Sequence, residues 1–149
     1  MVFREVSISS IRFLTKYIRG YKYRQIEVLF DLYRKGGVDL FGPSKIQYSN
    51  GAETVVGVPV VEELHGVLYV IEGNTRFYHM FRNGAKLVKC LVVSNVTDPL
   101  PSDGCYGVDE LLLTEGDHKG AKRYEQFSYH HFRHIEGAVR DPATSLIEE

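Results

Sequence analysis

Residues 67–84 read V-L-Y-V-I-E-G-N-T-R-F-Y-H-M-F-R-N-G, and this stretch decides the fold that the sequence predicts. Its first five residues are apolar and mostly β-favouring, which indicates a short buried strand. Gly73 breaks that run, and Asn74 or Thr75 is well placed to cap a helix. The stretch therefore predicts a strand, a tight polar turn and a helix.

The helix and the element after it carry equally plain signals. Three apolar residues recur at the i, i+3 and i+4 spacing of a single helical face, namely Phe77, Met80 and Phe81. Asn83 and Gly84 are typical of a helix that ends in a left-handed residue. Residues 87–93 read L-V-K-C-L-V-V, which predicts a second strand after the helix.

The turn before the helix has the chemistry of an anion site. The first N–H groups of a helix lack intrahelical partners, and the helix dipole makes that end positive. Gly73 lets a ligand approach the backbone, Thr75 adds a hydroxyl donor, and Arg76 can bind phosphate oxygens through two nitrogens. Glu72, just before the turn, can orient a metal, accept a proton or hold the arginine. A capped turn with Arg76 in a structural ion pair is the alternative that the spacing leaves open.

The same residues resemble the core of the ParB/sulfiredoxin superfamily, whose members carry a G-x-x-R turn between a strand and a helix. The resemblance is best over residues 55–93 and weaker over residues 5–37. It implies a small α+β fold with a mixed sheet and helices, in a single domain over residues 1–149. Because that turn binds nucleotide phosphates in the superfamily, it also implies a phosphate site at Gly73, Asn74, Thr75 and Arg76.

Differences within the turn separate the subfamilies. Sulfiredoxins have Gly-Cys-His-Arg there, with the cysteine as nucleophile, so Asn74 and Thr75 argue against that chemistry. Chromosome-partitioning ParB proteins continue with a Glu-Asn-x-Gln-Arg motif and a helix-turn-helix domain, and neither is found in this sequence. The nearest local match is to the free serine kinases, whose Asp-Gly-His-Thr-Arg corresponds to the five residues from Glu72 to Arg76.

That match implies a nucleotide-dependent phosphotransferase, ahead of a simple hydrolase. The expected cofactor is a nucleoside di- or triphosphate accompanied by Mg²⁺, and the expected partner is a small-molecule phosphoryl acceptor. Arg76 would neutralise charge during phosphoryl transfer, and Glu72 would be the proton acceptor or metal ligand. The superfamily also places basic residues at the start of the preceding helix near the phosphates, which points to Lys22 and Arg24.

Residues 23–35 form the clearest helical pattern of the chain, with Gly36 and Gly37 after it. A second helix is predicted from Ser9 or Ser10 through Ile18, after a short strand over residues 2–8. Its outer face would carry Arg12, Lys16 and Arg19, and with Lys22 and the interleaved tyrosines these residues suit single-stranded nucleic acid. A DNA- or RNA-binding (or nuclease-like) accessory domain is therefore the second functional hypothesis.

The remaining segments give coarser expectations. Residues 38–52 carry turn signals and are predicted to be irregular, whereas residues 54–64 predict a strand interrupted by Pro59. Glu62 and Glu63 are expected to be solvated acids before a hairpin turn at His65-Gly66. A last helix is predicted over residues 122–140, followed by a frayed tail over residues 141–149.

The last predicted helix contains three histidines, His130, His131 and His134. We expect their imidazoles to be partly buried where this aromatic-rich helix packs. His130 and His134 lie at i and i+4, but no further ligand pattern accompanies them, so no metal site is predicted.

Composition limits the remaining function classes. The chain has 149 residues, 44% of them hydrophobic and 25% charged, which is ordinary for one globular domain. A net charge of −1 argues against a surface that coats nucleic acid along its whole extent. Two cysteines without paired spacing, no signal-peptide pattern and no long apolar run predict a cytoplasmic protein that does not enter a membrane.

Overall fold

The computed structural model describes residues 2–37, 40–41, 44–48, 50–97, 104–115 and 144–148. Two α-helices lie in these ranges, α1 at Gly20–Gly36 and α2 at Asn74–Arg82, with short 3-10 turns at Ile8–Ser10 and Val108–Glu110. The strands are β1 Val2–Ser7, β2 Ile11–Phe13, β3 Tyr17–Arg19, β4 Ser44–Tyr48, β5 Glu53–Val56, β6 Val60–Leu64, β7 Val67–Glu72, β8 Leu87–Val93, β9 Leu112–Thr114 and β10 Thr144–Glu148.

A five-stranded mixed sheet forms the centre of the molecule, in the order β1-β8-β6-β7-β2. The pairs β1–β8 and β6–β7 are antiparallel, whereas β6–β8 and β2–β7 are parallel. The connection from β7 to β8 is α2, so the strand–turn–helix–strand unit predicted from residues 67–93 is confirmed. The mixed sheet with helices confirms a small α+β fold.

The main core lies between this sheet and α2. Alternate strand residues point toward the helix, and Phe77 fills the centre with no exposed surface. Phe13 packs edge-on against Phe77 with ring centroids 6.3 Å apart. The other buried members come from every strand of the sheet and include Val6, Ile11, Val61, Val70, Val88, Cys90 and Val92.

Two turns have the geometry that their residues predicted. His65 and Gly66 both have positive φ, at 51° and 78°, which is the backbone of a two-residue hairpin between β6 and β7. At the end of α2, the Gly84 N–H bonds to Phe81 O at 3.0 Å and the Ala85 N–H bonds to Met80 O at 3.0 Å. These two bonds are a Schellman motif, which requires the left-handed Gly84.

Helix α1 covers the outer side of α2. Its buried residues are Gly20, Leu29, Phe30 and Tyr33, and Gly37 ends it with φ 66°. The helix predicted over residues 23–35 is therefore confirmed and begins three residues earlier. Among the described residues, neither helix combines the length and the apolar character that crossing a membrane requires.

A second, three-stranded sheet has the order β10-β4-β5. Its β5 is joined to β6 of the main sheet by three residues, Gly57, Val58 and Pro59, which we call the linker. Pro59 thus comes just before a strand, where its missing N–H breaks no ladder. Strands β3 and β9 form a further parallel pair.

Four predictions need correction. Residues 11–18 are not a helix. Ile11 and Phe13 are buried and Arg12 is exposed, the alternation of a strand, and this strand pairs with β7. Long-range pairing thus overrides a weak helical spacing. Residues 38–52 include β4, and the tail over residues 141–149 includes β10, which pairs with β4. The predicted helix over residues 122–140, with its three histidines, lies outside the described residues.

The fourth correction concerns Glu62, which is 1% exposed rather than solvated. It lies in β6 between β7 and β8, opposite Tyr69 and Val93. Glu63, one residue on, does reach the surface and lies 3.7 Å from Arg4.

Candidate functional site

The turn from β7 into α2 is a sharp backbone bend, which we call the elbow and define as Glu72–Arg76. Gly73 has φ 107° and ψ 19°, and its carbonyl accepts the first helical bond, from the Phe77 N–H at 3.0 Å. A Cβ on Gly73 would lie 3.0 Å from Pro59 Cβ and 3.3 Å from Pro59 Cα. Glycine is therefore required both by the backbone angle and by the linker packed against it.

The start of α2 differs from the prediction. Gly73, not Asn74 or Thr75, occupies the N-cap position, and no side chain in the described part of the molecule caps the helix there. Asn74 is the first helical residue, and its Oδ1 is buried with no hydrogen-bond partner among the described residues. The first turn of α2 thus presents backbone N–H groups and an amide oxygen that accepts no hydrogen bond from the described residues.

Arg76, the last residue of the elbow, is 4% exposed. Its Nη1 donates to the carbonyl oxygen of Gly57 at 2.7 Å. Its Nη2 lies 3.6 Å from the position that a Gly73 Cβ would take. Burial lowers the pKa of the guanidinium, while the negative charge of Glu72 opposes that shift.

Glu72 is the acidic group of the elbow. Burial raises the pKa of its carboxyl above the ordinary value, and the charges of Arg76 and then of Lys22 act in the opposite direction. No ion pair within 4 Å joins Glu72 to Arg76 in the described part of the chain. Each charge acts on the pKa of the other residue, so the elbow holds a buried cation beside a carboxyl group without a direct ion pair.

The two basic residues at the start of α1 separate in space. Lys22 is exposed and near enough for its charge to act on Glu72. Arg24 instead lies 3.4 Å from both carboxylate oxygens of Glu115, and the two side chains are 62% and 81% exposed. The structure therefore brings Lys22 toward the elbow and directs Arg24 elsewhere.

The basic residues of the nucleic-acid hypothesis do not share a helix face. Arg12 is exposed on β2, Lys16 lies in the bend that follows, and Arg19 on β3 donates from Nη1 to the Tyr21 hydroxyl at 3.0 Å. The regular spacing that would align them along one nucleic-acid strand depended on the helix that is not formed.

Two residues near the elbow were not singled out from the sequence. Tyr33 of α1 is buried, its hydroxyl forms a hydrogen bond with Ser44 Oγ, and the Arg76 charge acts on it. His79 of α2 is 6% exposed and lies between Phe30 and Tyr23, at ring-centroid distances of 4.8 and 5.5 Å. Only the i+3 spacing of His79 from Arg76 could have drawn attention to it.

The ring nitrogens of His79 have few hydrogen-bond partners among the described residues. Its Nδ1 is buried without a hydrogen-bond partner among the described residues, and its Nε2 lies 3.4 Å from Asn83 Nδ2. Burial lowers the pKa of His79, while Glu27 favours and Arg34 disfavours the charged form. The ring therefore acts as a neutral aromatic contact between α1 and α2.

Comparisons with protein-family models, with curated proteins and with solved structures return no match for this chain.

Proposed function

We propose that this protein binds the phosphates of a nucleoside di- or triphosphate at the elbow and acts as a nucleotide-dependent phosphotransferase or hydrolase of the ParB/sulfiredoxin type. The observation that supports this most is the buried guanidinium of Arg76 close to Gly73, at a helix start where no described side chain forms a cap. A positive charge and a helix dipole then act on the same point, which favours an anion there.

Each residue of the elbow has a part in this proposal. The N–H groups of Asn74 and Thr75 would donate to phosphate oxygens, with Gly73 admitting the close approach. Lys22 would supply a second positive charge from α1. Arg76 would stabilise the charge that develops on the transferred group.

Glu72 would accept the proton of the attacking hydroxyl or water. A carboxyl whose pKa is raised is a stronger base once ionised, and burial produces that shift here. The donor set also suits Mg²⁺ that arrives on the nucleotide, because this ion is usually held by one or two carboxylates together with substrate phosphates. Among the described residues, no group of three or more His, Cys, Asp or Glu could hold a metal ion by itself.

Two free thiols, Cys90 and Cys105, support the cytoplasm as the location, since a reducing compartment keeps cysteines in that form. We place the protein there as part of the same proposal.

A binding titration tests the proposed function. ATP, ADP, CTP and GTP, each with and without Mg²⁺, are titrated into the protein while its melting temperature and heat of binding are followed. We expect one nucleotide to stabilise the fold, because a ligand that binds only the folded state raises its stability. The bound nucleotide is then tested for phosphate release and for phosphoryl transfer to hydroxyl-containing acceptors.

Two matched variants locate the site. Lys22→Ala should weaken nucleotide binding by roughly three- to tenfold, because it removes a charge near the elbow. Arg24→Ala removes the same charge two residues away, from an exposed pair with Glu115, and should leave binding unchanged. Absence of any nucleotide response, combined with salt-sensitive binding of a DNA or RNA oligonucleotide, would replace the proposal with the nucleic-acid hypothesis.

A further inference from the structure

The linker between the two sheets is fixed to the elbow at two points. The carbonyl of Gly57 accepts the Arg76 hydrogen bond at 2.7 Å. Pro59 packs against Gly73 so closely that a Cβ on the glycine would lie 3.0 Å away. Val58, between them, is buried. The position of the linker, and with it the end of β5, therefore depends on the elbow.

The three-stranded sheet has a further link to the surroundings of Arg76, through Tyr33 of α1. Ser44, the first residue of β4, is fully buried and forms its hydrogen bond with the Tyr33 hydroxyl. The charge of Arg76 also acts on Tyr33. Arg76 thus bonds directly to Gly57, the residue after β5, and its charge acts on Tyr33, which is hydrogen-bonded to the first residue of β4.

The bond that holds Arg76 to the linker is one that phosphate can replace. Gly57 offers a neutral carbonyl, whereas a phosphate offers charged oxygens in a geometry that matches the guanidinium. The bond to Gly57 already has one charged partner, the guanidinium, and a phosphate would give it a second, which adds Coulomb attraction at a buried site. A phosphate at the elbow would therefore compete with Gly57 for the Arg76 nitrogens.

We propose that Arg76 is a latch between the elbow and the three-stranded sheet, and that a phosphate bound at the elbow draws the guanidinium from Gly57 and releases the linker. This inference rests on the proposed function, since it needs an anion at the elbow. It adds a consequence of binding: the three-stranded sheet becomes more mobile relative to the main sheet when the site is filled.

Hydrogen exchange on the full chain, with and without inorganic pyrophosphate, tests the latch. We expect peptides covering residues 44–48 and 53–60 to exchange about tenfold faster with pyrophosphate, the factor that corresponds to loss of one charge-assisted bond. Peptides covering residues 73–77 should exchange more slowly, because their N–H groups gain a partner. Calorimetry on the same samples measures whether pyrophosphate binds.

Arg76→Lys provides a ligand-independent test, and Arg82→Lys is its control. Lysine keeps the charge but cannot form the same fork of donors, so the linker should exchange fast in Arg76→Lys even without pyrophosphate. Arg82 lies on the same helix with its guanidinium 5.8 Å from the Tyr78 ring, and its variant should behave like the wild type.

The outcomes separate the two proposals. If pyrophosphate binds and residues 53–60 exchange at the same rate or more slowly, the latch is wrong and the phosphate site stands. If neither pyrophosphate nor any nucleotide binds, the proposed function fails and the latch fails with it.

Discussion

The guanidinium of Arg76 donates to the main-chain carbonyl of Gly57 at 2.7 Å, across the junction between the two sheets. The two residues are joined neither by a common strand nor by a common helix. Arg76 therefore has a structural part in this fold, whatever it binds, because it joins the start of α2 to the linker. A variant at this position will change stability as well as any activity, and the two effects must be measured separately.

The first prediction concerns Gly73. Gly73→Ala should lower the free energy of unfolding by about 1–3 kcal/mol, because its φ of 107° disfavours alanine and its Cβ would lie 3.0 Å from Pro59. Urea denaturation measures the loss. Gly84→Ala is the matched control: Gly84 also has positive φ, at 84°, but a Cβ there would meet no heavy atom within 4 Å. Equal losses in the two variants would show that contact with Pro59 is unimportant.

The second prediction concerns Glu72. A carboxyl whose pKa is raised by folding stabilises the protein below the ordinary pKa of 4.5 and loses that contribution as pH rises through the folded value. Glu72→Gln should therefore be more stable than the wild type at pH 8, and the difference should shrink toward pH 4. Thermal unfolding in metal-free buffer at each pH checks this. A variant that is less stable at pH 8 would mean that attraction to Arg76 outweighs burial.

The third prediction concerns His79, whose pKa is lowered by folding. Stability from its neutral form is present above the ordinary value of 6.5 and is lost as pH falls through the folded value. His79→Phe keeps the ring contacts with Phe30 and Tyr23 and cannot be protonated. We expect it to unfold at a higher temperature than the wild type at pH 5, with a smaller difference at pH 8.

The exposed His65 supplies the control for that experiment. His65→Asn keeps a residue that tolerates the left-handed backbone of the hairpin turn, where φ is 51°. Its unfolding temperature should follow the wild-type profile between pH 5 and pH 8. If His79→Phe and the wild type differed by the same unfolding temperature at pH 5 and pH 8, His79 would not be buried as described.

The fourth prediction concerns the two thiols. Burial raises the pKa of Cys90 to about 11 and removes its surface from solvent, whereas Cys105 is exposed. A disulfide reagent at pH 8 should therefore react at once with Cys105 and with Cys90 only after denaturant is added. In Cys105→Ser the fast reaction should disappear. Fast reaction of both thiols in the wild type would contradict the position of β8 in the core.

The parts of the fold that were predictable are those in which local signals agree. Residues 67–93 are the clearest case, because every local signal there indicates the same strand, helix and strand. These signals are the apolar run, the glycine that interrupts it, the helical spacing and the Asn-Gly at the end of the helix, and all three elements are present. Strands β2 and β10 were missed because each is short and pairs with a distant strand, and β4 was missed because it lies between two turn signals. Residues 11–18 are an example: their spacing fits a weak helix, but Ile11–Phe13 form a strand because they pair with β7.

The candidate site was predictable only at its centre. Residues 72–76 were indicated by their types, but the partner of Arg76 is a backbone carbonyl, which no residue type reveals. Lys22 and Arg24 were equivalent in sequence, and only the fold directs one toward Glu72 and the other toward Glu115. Tyr33 and Ser44 come together from different elements, which local spacing does not express.

The parallel register of β10 on β4 sets the order in which the chain can fold. Thr144 is opposite Ser44 and Glu148 is opposite Tyr48, so the partners are 144 − 44 = 100 residues apart. The β6–β7 hairpin closes through two residues and can form early, whereas joining β10 to β4 must close a long loop. During synthesis on the ribosome, one edge of β4 will therefore stay unpaired until β10 has been made. Unpaired strand edges favour aggregation.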